Sequence, residues 1–209
     1  MAMLSKKFSG ALMKGKKLSD EEGRSVTPRL YILKIKLLGS KPPIWRRLAV
    51  SGDITLFELH HIIQAAMGWE NYHLYEFIIN KVSYGDTEDE FDFGPPVRSD
   101  RKTLLQDVIS QPKKKFRYIY DFGDDWQHEI LVEKITLPEP KQRYPSCLAG
   151  ARACPPEDCG GIWGYEELLE IMDDPDHPEY EERLEWLGDN FDPEAFDLAA
   201  VNQRLAKFQ

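Results

Sequence analysis

The stretch FRYIYDFGDDWQHEILV, residues Phe116–Val132, decides the fold of this chain. Hydrophobic residues alternate on both sides of Gly123-Asp124-Asp125, so the pattern predicts strands near 116–122 and 127–135 joined by a three-residue hairpin loop. One register puts all the apolar positions on a single buried face. That register pairs Phe122 with Trp126, Tyr120 with His128, Tyr118 with Ile130, and Phe116 with Val132.

The same alternation predicts four further strands. In residues 29–38, every second residue is apolar and lysines lie between them, which is typical of a half-buried strand. Residues 44–50 form a second extended segment after a pair of prolines. Residues 73–80 give the next strand, and residues 81–84 are predicted to return beside it.

Two helices are predicted by their N-terminal signals. Thr55-x-x-Glu58 is a capping box and opens a helix that should end at Gly68. His60 lies on the apolar face of this helix, where a histidine is more often a hydrogen-bonded core residue than a metal ligand. Thr103-x-x-Gln106 is predicted to cap a second, short helix.

The C-terminal part of the chain changes character. Residues 137–164 contain five prolines, four glycines and all three cysteines, too many helix and strand breakers for regular structure. Three helices are predicted after them, starting near Tyr165, Asp176 and Asp192. The order of elements predicts the α+β class: a largely antiparallel sheet with the aromatic hairpin, helices packed on the sheet, and a C-terminal three-helix segment.

Charge is distributed unevenly along the chain, whose net charge is −9. Residues 1–29 hold seven Lys and Arg against three acidic residues, whereas the part from Glu157 onward holds three against sixteen. We expect residues 1–27 to be a flexible basic tail that precedes a single domain, 28–209. Because an acidic C-terminal third repels phosphate backbones, nucleic acid would bind only through the basic tail, if at all.

Composition also bears on the compartment. No apolar run approaches the roughly 18 residues that a membrane span needs, so no membrane association is expected. The first residues are basic but lack the apolar core of a secretory signal. Three cysteines, an odd number, fit reduced thiols. We expect a cytoplasmic protein.

Several longer motifs together resemble a known family. They are ITLFELHHIIQAAMGW followed by HLYEF, then YDFGDDWQHEI, YPSCLAGARACPPEDCGGIWGY and FDPEAFD. In this order they resemble the plasmid pRiA4b ORF-3-like family, from about Arg29 to Leu205. The resemblance implies an α+β domain found in plasmid, mobile-element and chromosomal contexts, and it brings no established activity, cofactor or catalytic residues. Some relatives carry a resolvase-like label, but no serine nucleophile beside clustered arginines supports it here.

The three cysteines are the sharpest candidates for metal chemistry. Cys147, Cys154 and Cys159 are separated by six and four residues, and His128 or His73 could complete a tetrahedral zinc site. The spacing differs from the paired C-x2-C knuckle of many zinc sites. The alternative is that small buried thiols pack a loop. Zinc is therefore a candidate cofactor, and none is established.

A second polar cluster lies around the hairpin loop. Asp121, Asp124, Asp125, His128 and Glu129 could serve a divalent metal or acid–base chemistry. The predicted register, however, puts Asp121 and His128 on opposite faces of the hairpin. Because aspartates are ordinary turn residues, a structural role in the loop is favoured for Asp124 and Asp125.

Glycines near the end of the breaker-rich part resemble a phosphate-binding loop. The motif Gly160-Gly161-x-x-Gly164 lacks the Lys-Ser/Thr of a P-loop and is surrounded by acidic residues. We therefore expect the glycines to let the backbone turn and lie close to an aromatic ring, such as Trp163 or Tyr165.

The long segment Pro145–Gly164 is the candidate binding loop, because long structured loops inside a compact domain are commonly functional. We predict that it packs beside the hairpin and that arginines or backbone N–H groups anchor Glu157 and Asp158. The structural alternative is a loop that only attaches the C-terminal helices to the sheet. The candidate binding residues are Arg152, Glu157, Asp158, Asp121 and Asp124.

Two classes of function remain open from the sequence. The first is a non-catalytic interaction module, an accessory protein of plasmids or mobile elements with an unknown protein partner. The second is a metal-dependent enzyme, most plausibly a hydrolase, built from the cysteines with His73 and His128. Whether the chain is an enzyme, and its oligomeric state, are both left open.

Overall fold

The computed structural model describes residues 29–87, 96–188 and 191–209, together with the backbone of 18–19 and 25–26. This described part contains ten strands and five α-helices. The strands are β1 (Leu18–Ser19), β2 (Ser25–Val26), β3 (Leu30–Leu37), β4 (Trp45–Ser51), β5 (Tyr75–Ile79), β6 (Val82–Gly85), β7 (Val97–Ser99), β8 (Lys115–Tyr120), β9 (Trp126–Thr136) and β10 (Ser146–Ala151). The helices are α1 (Leu56–Met67), α2 (Leu105–Val108), α3 (Gly161–Asp173), α4 (Tyr180–Leu187) and α5 (Leu198–Leu205).

Eight of these strands form one mixed sheet, in the order β10-β4-β3-β9-β8-β5-β6-β7. Neighbouring strands are antiparallel except β6 and β7, which run parallel. β1 and β2 pair with each other in a separate two-stranded sheet. The α+β class and the largely antiparallel sheet are thereby confirmed. Most of the predicted basic tail lies outside the described residues, so its flexibility stays a prediction.

β8 and β9 are antiparallel neighbours, but the predicted register between them was wrong by two residues. Tyr120 faces Trp126, whereas the prediction placed it opposite His128. The chain leaves β8 early because Asp121 adopts a left-handed backbone with φ 56°, so residues 121–125 connect the strands in place of a three-residue loop. A shift of two residues preserves the face of each side chain. Only Phe122 leaves the buried face, and it is 56% exposed.

The first helix, α1, has the predicted capping box. Thr55 accepts a hydrogen bond from the backbone N–H of Glu58, and the Glu58 side chain accepts one from the backbone of Thr55. Gly68 ends the helix in a left-handed conformation, φ 102°. The apolar face of the helix is buried. Its members are Leu56, Leu59, Ile63, Ala66 and Met67.

His60 joins α1 to the sheet through a buried polar network, as the sequence predicted for a core histidine. Its ring stacks on Tyr75 with the centroids 3.4 Å apart. The Tyr118 hydroxyl lies 2.8 Å from His60 Nδ1 and accepts from Gln64 Nε2 at 2.8 Å. Asn71 Oδ1 lies 2.6 Å from His60 Nε2, so Nε2 carries the proton and Nδ1 accepts from the tyrosine. Burial lowers the pKa of His60 to about 3, which keeps the ring neutral.

We expect Tyr118→Phe to destabilise the fold by about 2–3 kcal/mol, because it leaves two buried groups, His60 Nδ1 and Gln64 Nε2, without their partner. Tyr165→Phe is a matched control, since the Tyr165 hydroxyl is buried without a hydrogen-bond partner among the described residues. That control should change the free energy of unfolding by no more than about 0.5 kcal/mol. Urea denaturation of both variants measures the difference, and equal losses would contradict the role given to the Tyr118 hydroxyl.

The segment predicted to lack regular structure, 137–164, contains an edge strand and the start of a helix. β10 pairs antiparallel with β4, and α3 begins at Gly161. The prediction was wrong because the prolines flank the strand and leave its own residues free to pair: Pro145 precedes β10, and Pro155 follows it.

The predicted starts of two other helices were also displaced. Leu104 is the N-cap of α2, and the Thr103 hydroxyl donates instead to the Ser99 carbonyl at 2.7 Å. Asp197, and not Asp192, caps α5 by accepting from two backbone N–H groups of its first turn. The C-terminal helices are also separated in space, since α3 packs on α4 while α5 packs mainly on α1 and β10.

Candidate functional site

The Pro/Gly-rich segment lies directly beside the turn that joins β8 and β9. The backbone N–H of Gly160 donates to Asp124 Oδ2 at 3.2 Å. A Cβ atom on Gly161 would overlap the backbone of Asp124. Trp163, by contrast, is 80% exposed. The glycine therefore permits contact between two backbones, and not the predicted contact with an aromatic ring.

Three side chains from distant parts of the sequence converge at this junction. His73 Nε2 lies 3.1 Å from Asp158 Oδ1 and 3.6 Å from Asp121 Oδ2. Their ligand atoms all lie within 4.8 Å of one another, and no other set of three or more His, Cys, Asp or Glu in the described ranges does so. The sequence thus predicted two of the three members, Asp121 and Asp158, as binding residues.

Local backbone geometry orients Asp121 toward His73. Its left-handed conformation lets the backbone N–H of Gly123 donate to Asp121 Oδ1 at 2.9 Å, which is an Asx turn. Its own backbone N–H donates to the Leu74 carbonyl at 2.8 Å, next to His73. Asp121 is only 8% exposed. Oδ1 is therefore occupied by the turn, and Oδ2 faces His73.

The Nε2 atom of His73 is in an unusual position. It is buried, and neither carboxylate contact has hydrogen-bond geometry, so it has no hydrogen-bond partner in the described part of the chain. A charge pair would need His73 to be protonated. A neutral ring instead offers a lone pair at Nε2, next to two carboxylates. This arrangement suits a cation shared by the three side chains.

Glu157 borders the cluster but is held by other groups. Its Oε2 accepts from the backbone N–H of Glu70 at 2.7 Å, and its Oε1 accepts from the Tyr120 hydroxyl. Burial, and then the hydrogen bond to Glu157, raise the pKa of Tyr120, so it remains a donor at neutral pH. The predicted backbone anchor of Glu157 is present, whereas the partner of Asp158 is His73 rather than an arginine.

Arg152, the fifth predicted binding residue, lies away from this junction. Its Nη2 is 2.6 Å from Glu194 Oε1, and its Nη1 donates to the Pro42 carbonyl at 3.1 Å. The side chain is 8% exposed. Arg152 therefore ties the segment after β10 to the chain before β4 and to the turn before α5.

The predicted zinc set does not converge among the described residues. Cys147, Cys154, Cys159 and His128 form no cluster of ligand atoms within 4.8 Å. Cys147 donates to the Ala149 carbonyl at 3.4 Å within its own strand. Burial raises the pKa of Cys154 to about 11 and of Cys159 to about 12, which favours neutral thiols over metal-binding thiolates. His128 is fully buried, and burial lowers its pKa to about 4.

His73 was named from the sequence only as a possible partner of the cysteines. It lies in the loop before β5, Asp121 follows β8, and Asp158 precedes α3. No spacing rule links such separated positions. The left-handed conformation of Asp121, which a hairpin pattern does not predict, is what brings its carboxylate to His73.

No α-helix in the described ranges is long and apolar enough to cross a bilayer.

Comparisons with known proteins identify two relatives and one family. The uncharacterized protein y4hQ of Sinorhizobium fredii (strain NBRC 101917 / NGR234) is 41% identical over 174 residues, which are 83% of this chain and 89% of that protein. The crystal structure of MM3350 from Methanosarcina mazei Go1, a protein of unknown function, is similar with a TM-score of 0.76 and 42% identity. That match covers 84% of this chain and 98% of the other. The profile of the family described as plasmid pRiA4b ORF-3-like protein matches residues 29–200. The chain therefore belongs to the plasmid pRiA4b ORF-3-like family.

Proposed function

We propose that this chain is a metal-binding accessory module, which holds a divalent transition-metal ion with His73, Asp121 and Asp158. The observation that carries the proposal is the buried His73 Nε2, without a hydrogen-bond partner among the described residues, beside two carboxylate oxygens.

The distances from His73 Nε2 to the two carboxylate oxygens fit such an ion. Around a tetrahedral ion with bonds of about 2.1 Å, neighbouring ligand atoms lie roughly 3.4 Å apart. The two distances from His73 Nε2, 3.1 Å and 3.6 Å, bracket that value. Small side-chain movements would therefore suffice to bind the ion.

The donor set favours zinc or manganese over calcium or magnesium. Imidazole suits Zn²⁺ and other late transition metals, whereas Ca²⁺ and Mg²⁺ prefer oxygen donors only. Mn²⁺ accepts carboxylates together with imidazole. The cysteines contribute nothing to this proposal, because their ligand atoms lie outside the cluster.

An interaction role is supported by exposed apolar side chains that flank the metal ligands. Tyr72 and Leu74, 73% and 55% exposed, lie on either side of His73, and Phe122 follows Asp121 in the chain. Exposed large apolar side chains are common at protein-binding sites. We infer that the ion orders this surface for a protein partner, in the plasmid or mobile-element setting that the family name implies.

The alternative is a metal-dependent hydrolase. Three protein ligands leave a coordination position open for water, as catalytic zinc sites do. The nearest other carboxylates are engaged, however: Glu157 by Tyr120 and Glu70, and Asp124 by Gly160. A general base would have to be released from those bonds, which favours the non-catalytic proposal.

The experiment compares two aspartates of the same turn. Asp121→Asn should weaken Zn²⁺ or Mn²⁺ binding about 10–100-fold in a calorimetric titration. Asp125→Asn is the matched control, because Asp125 also has a left-handed backbone, φ 53°, but among the described side chains its carboxylate accepts only from Gln127. At a metal concentration of about 100 times Kd, binding to the native chain should add about 2.7 kcal/mol of stability. The melting temperature should then rise by about 5–10 °C.

Further variants separate the remaining possibilities. Cys154→Ser should keep full metal affinity; if zinc were lost there and retained in Asp121→Asn, the cysteine set would be the site instead. Equal affinities of the two aspartate variants would refute the cluster. Turnover of nitrophenyl esters or phosphates by the loaded protein, abolished in Asp121→Asn and retained in Asp125→Asn, would favour the hydrolase.

A further inference from the structure

A cleft of about 480 Å³ lies between the C-terminal end of α1, the loop after β10 and the turns that flank α4 and α5. Its walls are largely apolar and aromatic. Trp69, Trp186, Phe191 and Phe196 contribute rings to the lining. The cleft is distinct from the His73 cluster, since none of the three metal ligands lines it.

A buried arginine lies at the base of this cleft. Arg46 is 3% exposed, and its Cζ lies 4.9 Å from the centre of the Phe196 ring. Its Nε donates to the Ala66 carbonyl at 3.0 Å, and its Nη1 donates to the carbonyls of Trp45 and Ala151. Among the described residues, its Nη2 donates only to the sulfur of Cys154, at 3.9 Å. The Nη2 group of this buried guanidinium thus has no oxygen acceptor among the described residues.

A second arginine brings its positive charge to the same cleft. Arg204 Nε donates to the Ala65 carbonyl at 2.8 Å, one residue from the carbonyl that Arg46 binds. Neither guanidinium forms a salt bridge with a carboxylate of the described residues. The last carbonyls of α1 supply only about half of a negative charge. The buried Arg46 guanidinium therefore has no paired carboxylate among the described residues, whereas that of Arg204 is exposed to solvent.

The three carboxylates that line the cleft, those of Glu70, Glu157 and Asp197, form no ion pair with either guanidinium. Both guanidinium groups act on the Cys154 thiol, but burial raises its pKa to about 11, so it stays neutral. The Asp197 carboxylate caps α5, and Glu157 accepts from Glu70 and Tyr120. Glu70 accepts from the Tyr72 hydroxyl. A buried charge without a counterion is costly.

We propose that this cleft binds a small organic anion with a flat apolar body, of the class of aromatic carboxylates and sulfonates. The anionic group would accept from Arg46 Nη2 and from the Arg204 guanidinium, which are strong donors for such groups. The apolar body would lie against the rings of Trp69, Trp186 and Phe191. An apolar pocket with a few convergent polar donors is the usual form of a small-molecule site.

The experiment uses a matched pair of fluorescent probes with the full chain. Anilinonaphthalenesulfonate carries a sulfonate on an aromatic body, and phenylnaphthylamine is its uncharged counterpart. The sulfonate should bind with one-to-one stoichiometry. Arg204→Gln should weaken its binding about tenfold and leave phenylnaphthylamine unaffected, while Arg204→Lys should retain most of the affinity. Arg101→Gln is the control. Arg101 is exposed, as Arg204 is, but it lies over the Phe57 ring, outside the cleft.

Trp186→Ala locates the apolar part of the site independently of Arg204. Trp186 is 47% exposed, so its removal should be tolerated by the fold and should weaken both probes. The near-ultraviolet circular dichroism spectrum of each variant should match that of the native chain. A change in dye fluorescence then reflects binding and not unfolding. The proposal is overturned if the two probes bind equally well, or if Arg204→Gln and Arg101→Gln have the same sulfonate affinity. It is also overturned if Trp186→Ala changes neither probe.

Discussion

Lowering the pH from 7 to about 4.5 is expected to reduce the free energy of unfolding by about 5 kcal/mol, chiefly through two buried histidines. Burial lowers the pKa of His60 to about 3 and that of His128 to about 4. In the unfolded chain both would titrate near 6.5. The unfolded state therefore binds two protons that the folded state does not bind. Each of them lowers the free energy of unfolding by about 1.4 kcal/mol per pH unit below the unfolded pKa.

The sign and the window follow from these pKa values. A lowered pKa in the folded state means that the stability is fully present above about 6.5 and is lost as the pH falls. The loss through His128 ends near pH 4, and that through His60 near pH 3. Urea denaturation at a series of pH values measures the slope between 6.5 and 4.5.

His128→Leu tests how the effect divides between the two residues. Neither ring nitrogen of His128 has a hydrogen-bond partner in the described part of the chain, so the substitution leaves no other polar group unpaired. The loss between pH 7 and 4.5 should shrink to about half. His177→Gln is the control, because His177 lies in a surface turn before α4. A slope in His128→Leu equal to that of the native chain would contradict this explanation.

Gly161→Ala is expected to destabilise the protein by about 3–5 kcal/mol, the sum of backbone strain and steric overlap. Gly161 has φ 68°, and an added Cβ would overlap the carbonyl group of Asp124. The overlapped atoms belong to the backbone, so no side-chain rotation relieves the contact. Only separation of the segment before α3 from the turn between β8 and β9 would do so. Thermal or urea unfolding measures the loss.

Gly188→Ala is a matched control that separates the backbone strain from the steric overlap. Gly188 has a similar φ of 73°, but an added Cβ would have nothing within 4 Å among the described residues. With ψ 162°, it should cost only the backbone strain, about 1–3 kcal/mol. Because Asp158 lies on the displaced side, Gly161→Ala should also weaken metal binding, whereas Gly188→Ala should not. Equal stability losses in the two variants would show that the contact with Asp124 can be relieved cheaply.

The sequence by itself determined the elements whose signals are local. Alternation in residues 29–38 predicted β3 and its buried face, and the capping box at Thr55 with Gly68 predicted both ends of α1. These signals survive in the structure because a strand with one apolar face and a capped amphipathic helix have few other ways to bury their apolar residues. The family resemblance came from motifs in α1, β5, the turn between β8 and β9, β10 with the start of α3, and the segment before α5.

Local signals failed where neighbours in space decide the conformation. The prolines beside β10 led to a prediction of irregular structure there. β10 is nevertheless an edge strand, because pairing with β4 stabilises it. The register of β8 and β9 depended on the left-handed Asp121, which is held by hydrogen bonds to Leu74, Gly123 and Asp125. Periodicity fixes which face a side chain occupies, but it cannot distinguish registers that differ by two residues.

The candidate metal site and the cleft were decided by tertiary structure alone. The cysteines attracted attention because they are close in sequence, yet among the described residues their thiols form no set of three ligand atoms, and burial raises the pKa of Cys154 and Cys159. His73, Asp121 and Asp158 are far apart in sequence and meet because the loop before β5, the turn after β8 and the segment before α3 share one corner of the fold. Sequence spacing reports proximity only within one element, whereas a coordination site or a buried charge depends on which elements the packing of the core brings together.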